Sequence, residues 1–196
     1  MQVHVVPPVP TQRPPRMQAA LGYARRRHAG QLRADGSPFL EHVLEVADLL
    51  DYFGADDDLL SAALLHDVLE KTSATEDELR ALFGERVTDL VVAVSDDDTI
   101  EDWRRRKAAS RGRLRRNEDD EALLLFAADK VSRIRELRRG LEPPAPPTVR
   151  DRLAHYNASL HMLEHRLPGS PIVAMLRAEI AAYAPPSAAA IASPQP

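Results

Sequence analysis

Residues 59–70 read LLSAALLHDVLE, and this segment decides the fold of the chain. Wound as a helix, it is apolar around nearly its whole circumference, which predicts a helix buried on all sides. His66 and Asp67 lie inside this apolar run, where a carboxylate without a partner is strongly destabilising. The segment therefore predicts a helical core that contains a polar site.

Two other apolar segments are interrupted in the same way. EALLLFAADK at 121–130 ends its apolar run at Asp129, and FLEHVLEVADLL at 39–50 carries His42 in its first turn. A lone histidine on such a helix is more often a packing residue, but a divalent cation would neutralise both aspartates and use both histidines as neutral ligands. Two nitrogen and two oxygen donors suit Mn, Fe or Zn better than Ca or Mg. The candidate metal ligands are His42, His66, Asp67 and Asp129.

The amino-acid composition limits which fold classes and which binding partners are compatible with the chain. Of the 196 residues, 44% are hydrophobic but only 5% are aromatic, so Leu, Ala and Val must build the core and helices are favoured. The absence of cysteine excludes thiolate metal sites and a cysteine nucleophile. A net charge of −4 argues against a nucleic-acid partner, and no apolar run reaches the roughly 18 residues of a membrane span. We therefore expect an all-α protein, cytoplasmic because the N-terminus lacks the apolar stretch of a signal peptide.

Helical periodicity recurs along most of the chain. Residues 85–95 are ambiguous, because their Val-rich run would also suit a strand, but no partner strand is evident nearby and we predict a helix. Thr75 to Glu78 form a capping box, and Gly84 is expected to end the helix that it opens. The predicted helices are 17–28, 39–53, 57–71, 75–84, 85–95, 99–115, 119–138, 149–166 and 171–183.

Proline marks the expected boundaries of the folded region. Clusters at 7–15 and 185–196 predict disordered tails over 1–16 and 184–196. A third cluster at 143–147 separates a main helical domain at 17–140 from a C-terminal helical extension at 148–183, which we expect to pack on the same domain. Its Ala- and Leu-rich helices could form the face of a homodimer.

Four motifs occur in an order that resembles the HD-domain phosphohydrolase superfamily. ARRRHAGQ at 24–31 is similar to A-x-x-x-H-x-G-Q, and RADGSPFLEH at 33–42 to R-K-x-G-x-P-Y-I-x-H. AALLHDVLEKT at 62–72 is similar to A-x-L-L-H-D-x-x-E-D-T, with FGERV following, and AADKVSRIREL at 127–137 to A-D-R-L-H-N-x-R-x-L. Within the superfamily these motifs most resemble the hydrolase domain of RelA/SpoT-type enzymes, which remove pyrophosphate from the 3′ position of (p)ppGpp.

The resemblance implies an HD-type helical bundle, a divalent metal, most simply Mn²⁺, and a nucleotide substrate. It implies that Glu70 orients or deprotonates the attacking water, with Lys71 beside it as a second candidate catalytic residue. It also places Arg33 where the family's arginine stacks on the base. Arg106 and Lys107 match a basic pair near the pocket, although a solvated helix face is an equally good interpretation. The synthetase half has no counterpart after Gly140, so we expect degradation only.

Several positions depart from the family pattern. Lys71 replaces an aspartate, and it could either bind a phosphate or interact with the C-terminus of its helix. Ala34 replaces a basic residue, and Ser132 and Arg133 replace a His-Asn pair whose asparagine helps to seat the nucleotide. The metal ligands are thus retained while the substrate-recognition residues are changed, with Arg133 as a candidate phosphate-binding residue.

Two alternatives to an altered phosphohydrolase stay open. The chain could be a catalytically silent nucleotide sensor, in which Lys71 and Arg133 bind phosphate without chemistry. It could also be an interaction module in which a metal only stabilises the core, and chelation would then unfold it. His155, His161 and His165 could form a second metal site, but packing or surface roles are the simpler interpretation.

Overall fold

A computed structural model describes residues 15–140 and 147–183 as an assembly of α-helices. The two predicted tails fall almost entirely outside these ranges. Over the described residues, a single isolated bridge joins Leu32 and Pro38, and the regular elements are all helices. They are α1 Pro15–Arg27, α2 Leu40–Tyr52, α3 Asp57–Leu65, α4 Val68–Lys71, α5 Glu76–Val94, α6 Trp103–Arg116, α7 Asp120–Arg138, α8 Val149–Arg166 and α9 Pro171–Ala181.

Helix α3 lies at the centre of the N-terminal half, as its sequence predicted. Every residue from Leu59 to Leu65 is buried, and the helix packs against α1, α2 and α5. Asp56 begins the helix, since its carboxylate accepts a hydrogen bond from the Leu59 N–H at 2.9 Å. From Leu59 to Leu65 the one polar residue is Ser61, as expected for a segment that has neighbouring helices on several sides.

Helix α7 has the same role for the C-terminal half. It packs against α2, α5, α8 and α9, and its face from Ala122 to Ala128 is almost wholly buried. Helices α8 and α9 also pack on each other, and α8 packs on α6. Because α2, α3 and α7 are mutually in contact, the polar residues that interrupt them come together inside one helical core.

The structure differs from the sequence prediction at one helix and agrees with it at another. Residues 57–71 were expected to form one helix, but α3 ends at Leu65 and α4 begins at Val68, with His66 and Asp67 in the turn between them. Residues 75–95 were expected to form two helices separated at Gly84, and α5 is divided there into two helical segments by a kink at which Gly84 has a φ of 85° and a ψ of 173°. Local periodicity did not reveal the turn at His66 and Asp67, because it does not specify the path of the backbone.

None of the described helices combines the length and apolar character that crossing a membrane requires.

Candidate metal centre and cavity

The four candidate ligands lie close together between α2, α3 and α7, and His42, His66 and Asp129 form the tightest group. The two histidine Nε2 atoms of His42 and His66 are 3.2 Å apart, and Asp129 Oδ1 lies 3.3 Å from the first and 3.7 Å from the second. Asp67 Oδ2 lies 3.6 Å from each Nε2. The ligand atoms of His42, His66 and Asp129 all lie within 4.8 Å of one another, which is compatible with one shared ion, and Asp67 lies beside this set. The structure thus brings together four residues that are up to 87 positions apart in the chain.

Hydrogen bonds at the far side of each imidazole fix its tautomer. His66 Nδ1 lies 2.7 Å from the Ala63 carbonyl oxygen, so this nitrogen carries the proton. His42 Nδ1 lies 2.9 Å from the Ser132 hydroxyl, which donates its own proton to Glu45 at 2.8 Å and must therefore accept from the ring. In their neutral forms both rings therefore present an Nε2 lone pair to the shared centre, the arrangement that a metal-binding imidazole needs.

The electrostatics of the centre favour ionised carboxylates. Burial by itself would raise the pKa of Asp67 and Asp129, but neighbouring cationic groups, notably Lys130 beside Asp129, hold both well below their ordinary value. Burial lowers the pKa of His42 to about 3, so its ring is neutral at pH 7. For His66 burial acts in the same direction, but the two carboxylates outweigh it and raise the pKa.

Glu70 and Lys71 lie on α4, one turn beyond the metal centre, and both face a cavity. Glu70 Oε1 accepts a hydrogen bond from the Asp96 N–H at 2.8 Å, which fixes the carboxylate against the loop after α5. Desolvation of its carboxylate by the surrounding residues, together with the negative charge of nearby Asp67, raises the pKa of Glu70. Lys71 Nζ lies 5.3 Å from the centre of the Phe39 ring. A carboxylate with a raised pKa beside a metal centre is suited to proton transfer.

The cavity beside the metal centre has a volume of about 660 Å³, large enough for a nucleotide. His66, Asp67 and Asp129 form part of its wall, together with the aromatic side chains of Trp103 and Tyr156. Six cationic side chains also line it: Lys71, Arg106, Lys107, Lys130, Arg133 and Arg152. Six acidic side chains line it as well: Asp67, Glu70, Glu76, Asp96, Asp98 and Asp129. The cationic groups suit the phosphate groups of a ligand, and the acidic groups suit a cation.

Arg106 and Lys107 line this cavity from α6, but both already have partners. Lys107 Nζ is 2.5 Å from Asp96 Oδ2, and Arg106 Nε is 3.6 Å from the same carboxylate oxygen. Arg106 Nη1 also donates to the Ile100 carbonyl oxygen at 2.6 Å. Both cations therefore have an anionic partner at this edge of the cavity, where the Glu70 carboxylate also interacts with Lys107.

Arg33 lies in an adjoining cavity of about 230 Å³ rather than at the metal centre. Its side chain is 5% exposed, and its Nη2 lies 2.8 Å from Glu136 Oε1. Lys71, Arg133, Arg152 and Tyr156 line both cavities, so the two are neighbours. Ala34, where the family has a basic residue, lines this smaller cavity and leaves room in it.

Sequence reasoning missed two groups of residues. Ser132 was noted only as a departure from the family, yet it anchors His42. Arg152 and Tyr156, spaced i, i+4 on α8, line both cavities from the extension that was assigned a packing role only. Their spacing places them on one helix face, but no local signal shows that this face meets the site.

The C-terminal histidines do not come together as a second centre within the described residues. His155 is buried against Trp103, Phe126 and Tyr156, whereas His161 and His165 are exposed. Burial, together with nearby cations, lowers the pKa of His155 to about 2. The packing interpretation therefore holds for His155.

Comparison with known proteins places this architecture in a family. The model of the HD domain family matches residues 20–159, which is most of the chain. The chain belongs to the HD-domain family. The family implies a divalent metal, and in this HD domain the ligand atoms of His42, His66 and Asp129 all lie within 4.8 Å of one another. The expected all-α HD fold is confirmed.

Its relatives confirm the resemblance to RelA/SpoT-type enzymes. The HD domain is 34% identical over 158 residues to the bifunctional (p)ppGpp synthase/hydrolase SpoT of Escherichia coli K12, covering 78% of this chain and 22% of that protein. It is 35% identical over 123 residues to the guanosine-3′,5′-bis(diphosphate) 3′-pyrophosphohydrolase of Aquifex aeolicus, covering 62% and 18% respectively. The chain thus spans about a fifth of the length of these curated relatives.

Solved structures agree with this placement. One is described as a metazoan orthologue of SpoT that hydrolyses ppGpp; it superposes with a TM-score of 0.74 at 28% identity, covering 87% of this chain and 97% of the other. A Listeria monocytogenes protein superposes with a TM-score of 0.67 at 25% identity, covering 76% and 96%.

Proposed function

We propose that this HD domain is a metal-dependent phosphohydrolase that acts on a phosphorylated nucleotide, with the 3′-pyrophosphate of (p)ppGpp as the first candidate. The observation that supports this most is the cluster of His42, His66 and Asp129, with Asp67 beside it, at the wall of a cavity that also presents six cationic side chains. A metal alone would suit many roles, but a metal beside a cavity of nucleotide size that presents cationic side chains favours phosphate chemistry.

His42, His66, Asp67 and Asp129 are the proposed ligands, and Mn²⁺ is the proposed ion. Two imidazole nitrogens and two carboxylate oxygens match its preferences, and the tautomers of both rings leave the Nε2 lone pairs free. When bound, the ion would polarise the reacting phosphate and make a bound water more acidic.

Glu70 is the proposed base in this reaction. Its carboxylate takes a proton from the water that attacks phosphorus, and the bond between phosphorus and the ribose 3′ oxygen breaks. The proton then passes to the leaving oxygen, which yields a free 3′ hydroxyl and pyrophosphate. The hydrogen bond from the Asp96 N–H holds Glu70 in place, while its raised pKa suits it to receive and return a proton.

The cationic lining supplies substrate binding in this proposal. Lys71, at the end of α4, is proposed to contact a phosphate beside Glu70, and Arg106 and Lys107 are proposed to contact phosphates at the α6 edge; all three line the cavity. Arg33, in the smaller cavity, is proposed to contact the nucleobase of the substrate. This contact requires the ion pair between Arg33 and Glu136 to open. The names of the relatives support (p)ppGpp as the substrate class, although this chain spans only part of those proteins.

A silent nucleotide sensor is the second candidate. One specific observation favours it: Arg133 lies against both metal-ligand carboxylates, and Lys71 stands where the family has an acid. A sensor would bind the nucleotide in the same cavity and release it unchanged.

The deciding experiment measures turnover by protein reloaded with Mn²⁺. The compounds offered are (p)ppGpp, GTP, NADPH and simple phosphoesters. For wild-type protein we expect pyrophosphate release from (p)ppGpp, and for Glu70→Gln a decrease in kcat of about 10²- to 10⁴-fold with unchanged metal content. Glu164→Gln makes the same chemical change at a residue that pairs with Arg177 on the C-terminal helices, and it should leave kcat unaltered.

The outcomes separate the candidates. Turnover of another compound and not of (p)ppGpp would support a phosphohydrolase with a different substrate. Tight binding of a nucleotide without turnover of any compound would favour the sensor. A protein whose metal content is unaffected by His66→Ala would contradict the proposed centre itself.

The cytoplasmic location and the homodimer remain predictions from the sequence. Size-exclusion chromatography with light scattering tests the homodimer directly.

A further inference from the structure

One cation contacts both of the carboxylate oxygens that face the histidines. Arg133 Nη2 lies 2.7 Å from Asp67 Oδ2, the oxygen that is 3.6 Å from each histidine Nε2. Arg133 Nε lies 3.3 Å from Asp129 Oδ1, which is itself 3.3 Å from His42 Nε2. The oxygens that would bind a metal are therefore already shared with a guanidinium.

Arg133 is firmly held in this position. It lies one helical turn after Asp129 on α7, and its side chain is 21% exposed. Its Nη1 is 3.4 Å from Glu136 Oε2, and its guanidinium carbon lies 5.5 Å from the centre of the Phe39 ring. Three of its nitrogens thus face carboxylates, and an aromatic ring lies beside the guanidinium plane. Because the guanidinium is planar and rigid, holding it in this position costs little conformational entropy.

The charges of the centre are balanced by the chain's own cations. Lys130 pairs with Asp129 Oδ2, and Arg133 spans Asp67 and Asp129, so two buried carboxylates already have two positively charged partners. A divalent ion between the same oxygens would lie within a few ångströms of the guanidinium, where like charges repel strongly. The RelA/SpoT-type pattern that the chain resembles has a neutral asparagine at this position.

We propose that Arg133 is an internal counter-charge that sets the metal affinity of this centre. In the metal-free protein it neutralises Asp67 and Asp129 and keeps them in place. When a divalent ion binds, Arg133 loses its contact with Asp67, with Asp129 or with both. The free energy needed to break these contacts lowers the affinity of the centre for the ion. This inference rests on the proposed metal centre, and in it Arg133 acts through the two carboxylates and not on the substrate.

The test is a calorimetric titration of metal-stripped protein with Mn²⁺. Arg133→Gln removes the competing charge and should bind Mn²⁺ at least about tenfold more tightly than wild type, a difference of ~1.4 kcal/mol. Arg138→Gln removes the same charge from the same helix at an exposed residue paired with Glu179, and its affinity should stay within about twofold of wild type.

Thermal unfolding provides a second measurement on the same proteins. Without metal, Arg133→Gln leaves Asp67 and part of Asp129 unpaired, so its Tm should fall below that of wild type. Saturating Mn²⁺ should then raise the Tm of the variant by more than it raises the Tm of wild type. An equal rise in both proteins would contradict the proposal.

A measurement on wild-type protein covers the case in which Arg133→Gln does not fold. The Nε–H signal of Arg133, assigned from its loss in Arg133→Lys, should move during a titration with diamagnetic Zn²⁺. A signal that stays unchanged while Zn²⁺ binds would show that the guanidinium does not respond to the ion, and would overturn the inference.

Failure here is distinguishable from failure of the proposed function. If wild type and Arg133→Gln bind Mn²⁺ equally well, the role of Arg133 is wrong and the metal centre stands. If neither binds Mn²⁺, the centre is wrong and the inference falls with it.

Discussion

At the scale of single residues, Ser132 shows how one hydroxyl prepares a candidate ligand. It donates to Glu45 and accepts from His42 Nδ1, so it fixes both the orientation and the tautomer of that imidazole. The RelA/SpoT-type pattern has histidine at this position, so from the sequence alone Ser132 looks like the loss of a functional side chain. The structure instead shows a small residue that performs a supporting role.

Ser132→Ala should lower the affinity for Mn²⁺ by about 10- to 100-fold, because the ring of His42 is no longer held with Nε2 towards the centre. The fold should persist, since the change removes one atom from a buried position. Calorimetric titration measures the affinity. The control is Ser159→Ala, which removes a buried hydroxyl bonded to the His155 carbonyl oxygen at 2.8 Å and should leave Mn²⁺ binding unaltered.

At the scale of elements, the kink in α5 directs its second half towards the site. Gly84 adopts φ 85°, a conformation that other residues rarely take, and the helix then resumes and ends at Val94. The chain beyond it supplies the Asp96 N–H that hydrogen-bonds Glu70. The kink thus connects a backbone conformation to the orientation of the proposed base.

Gly84→Ala should destabilise the protein by about 1–3 kcal/mol, because alanine is strained at this φ and ψ. A Cβ at this position would meet no atom within 4 Å, so the expected loss is conformational and not steric. Urea unfolding followed by circular dichroism measures it. Gly112→Ala, within the regular helix α6, should be neutral or stabilising by up to about 1 kcal/mol, and a similar loss at both glycines would contradict this account.

At the scale of the whole molecule, the core is built from apolar contacts between helices. Apolar residues from α1, α2, α3, α5, α7, α8 and α9 form one continuous cluster, and the charged groups at its polar centre are paired by Arg133 and Lys130. Helices α8 and α9 belong to this cluster, and α8 brings Arg152 and Tyr156 to the cavities. The division into a main domain and an extension remains a prediction from the sequence.

Removal of metal by EDTA should therefore leave the protein folded at 25 °C, with its helical circular dichroism retained and its turnover lost. The physical reason is that burial of the apolar cluster, and not metal binding, supplies the main free energy of folding. Loss of helical signal on chelation would instead support the interaction module in which the metal stabilises the core.

The sequence by itself determined the helical class, the order of the helices and the four residues that meet at the centre. Local information suffices for these, because apolar periodicity specifies a buried helix and the polar interruptions of His42, His66, Asp67 and Asp129 mark where such helices carry a site. Their role as metal ligands, and that of Glu70 as a base, remain predictions that the structure supports by proximity.

Only the tertiary structure showed which cations pair with the carboxylates of that site and which side chains hold its histidines in place. Arg133 meets Asp67 across 66 positions of sequence, Ser132 meets His42 across 90, and Arg33 is buried against Glu136. The turn at His66 and Asp67 likewise follows from packing and not from propensity. These features depend on which helix faces meet in space, and a period of 3.6 residues specifies a face of each helix but not its neighbour.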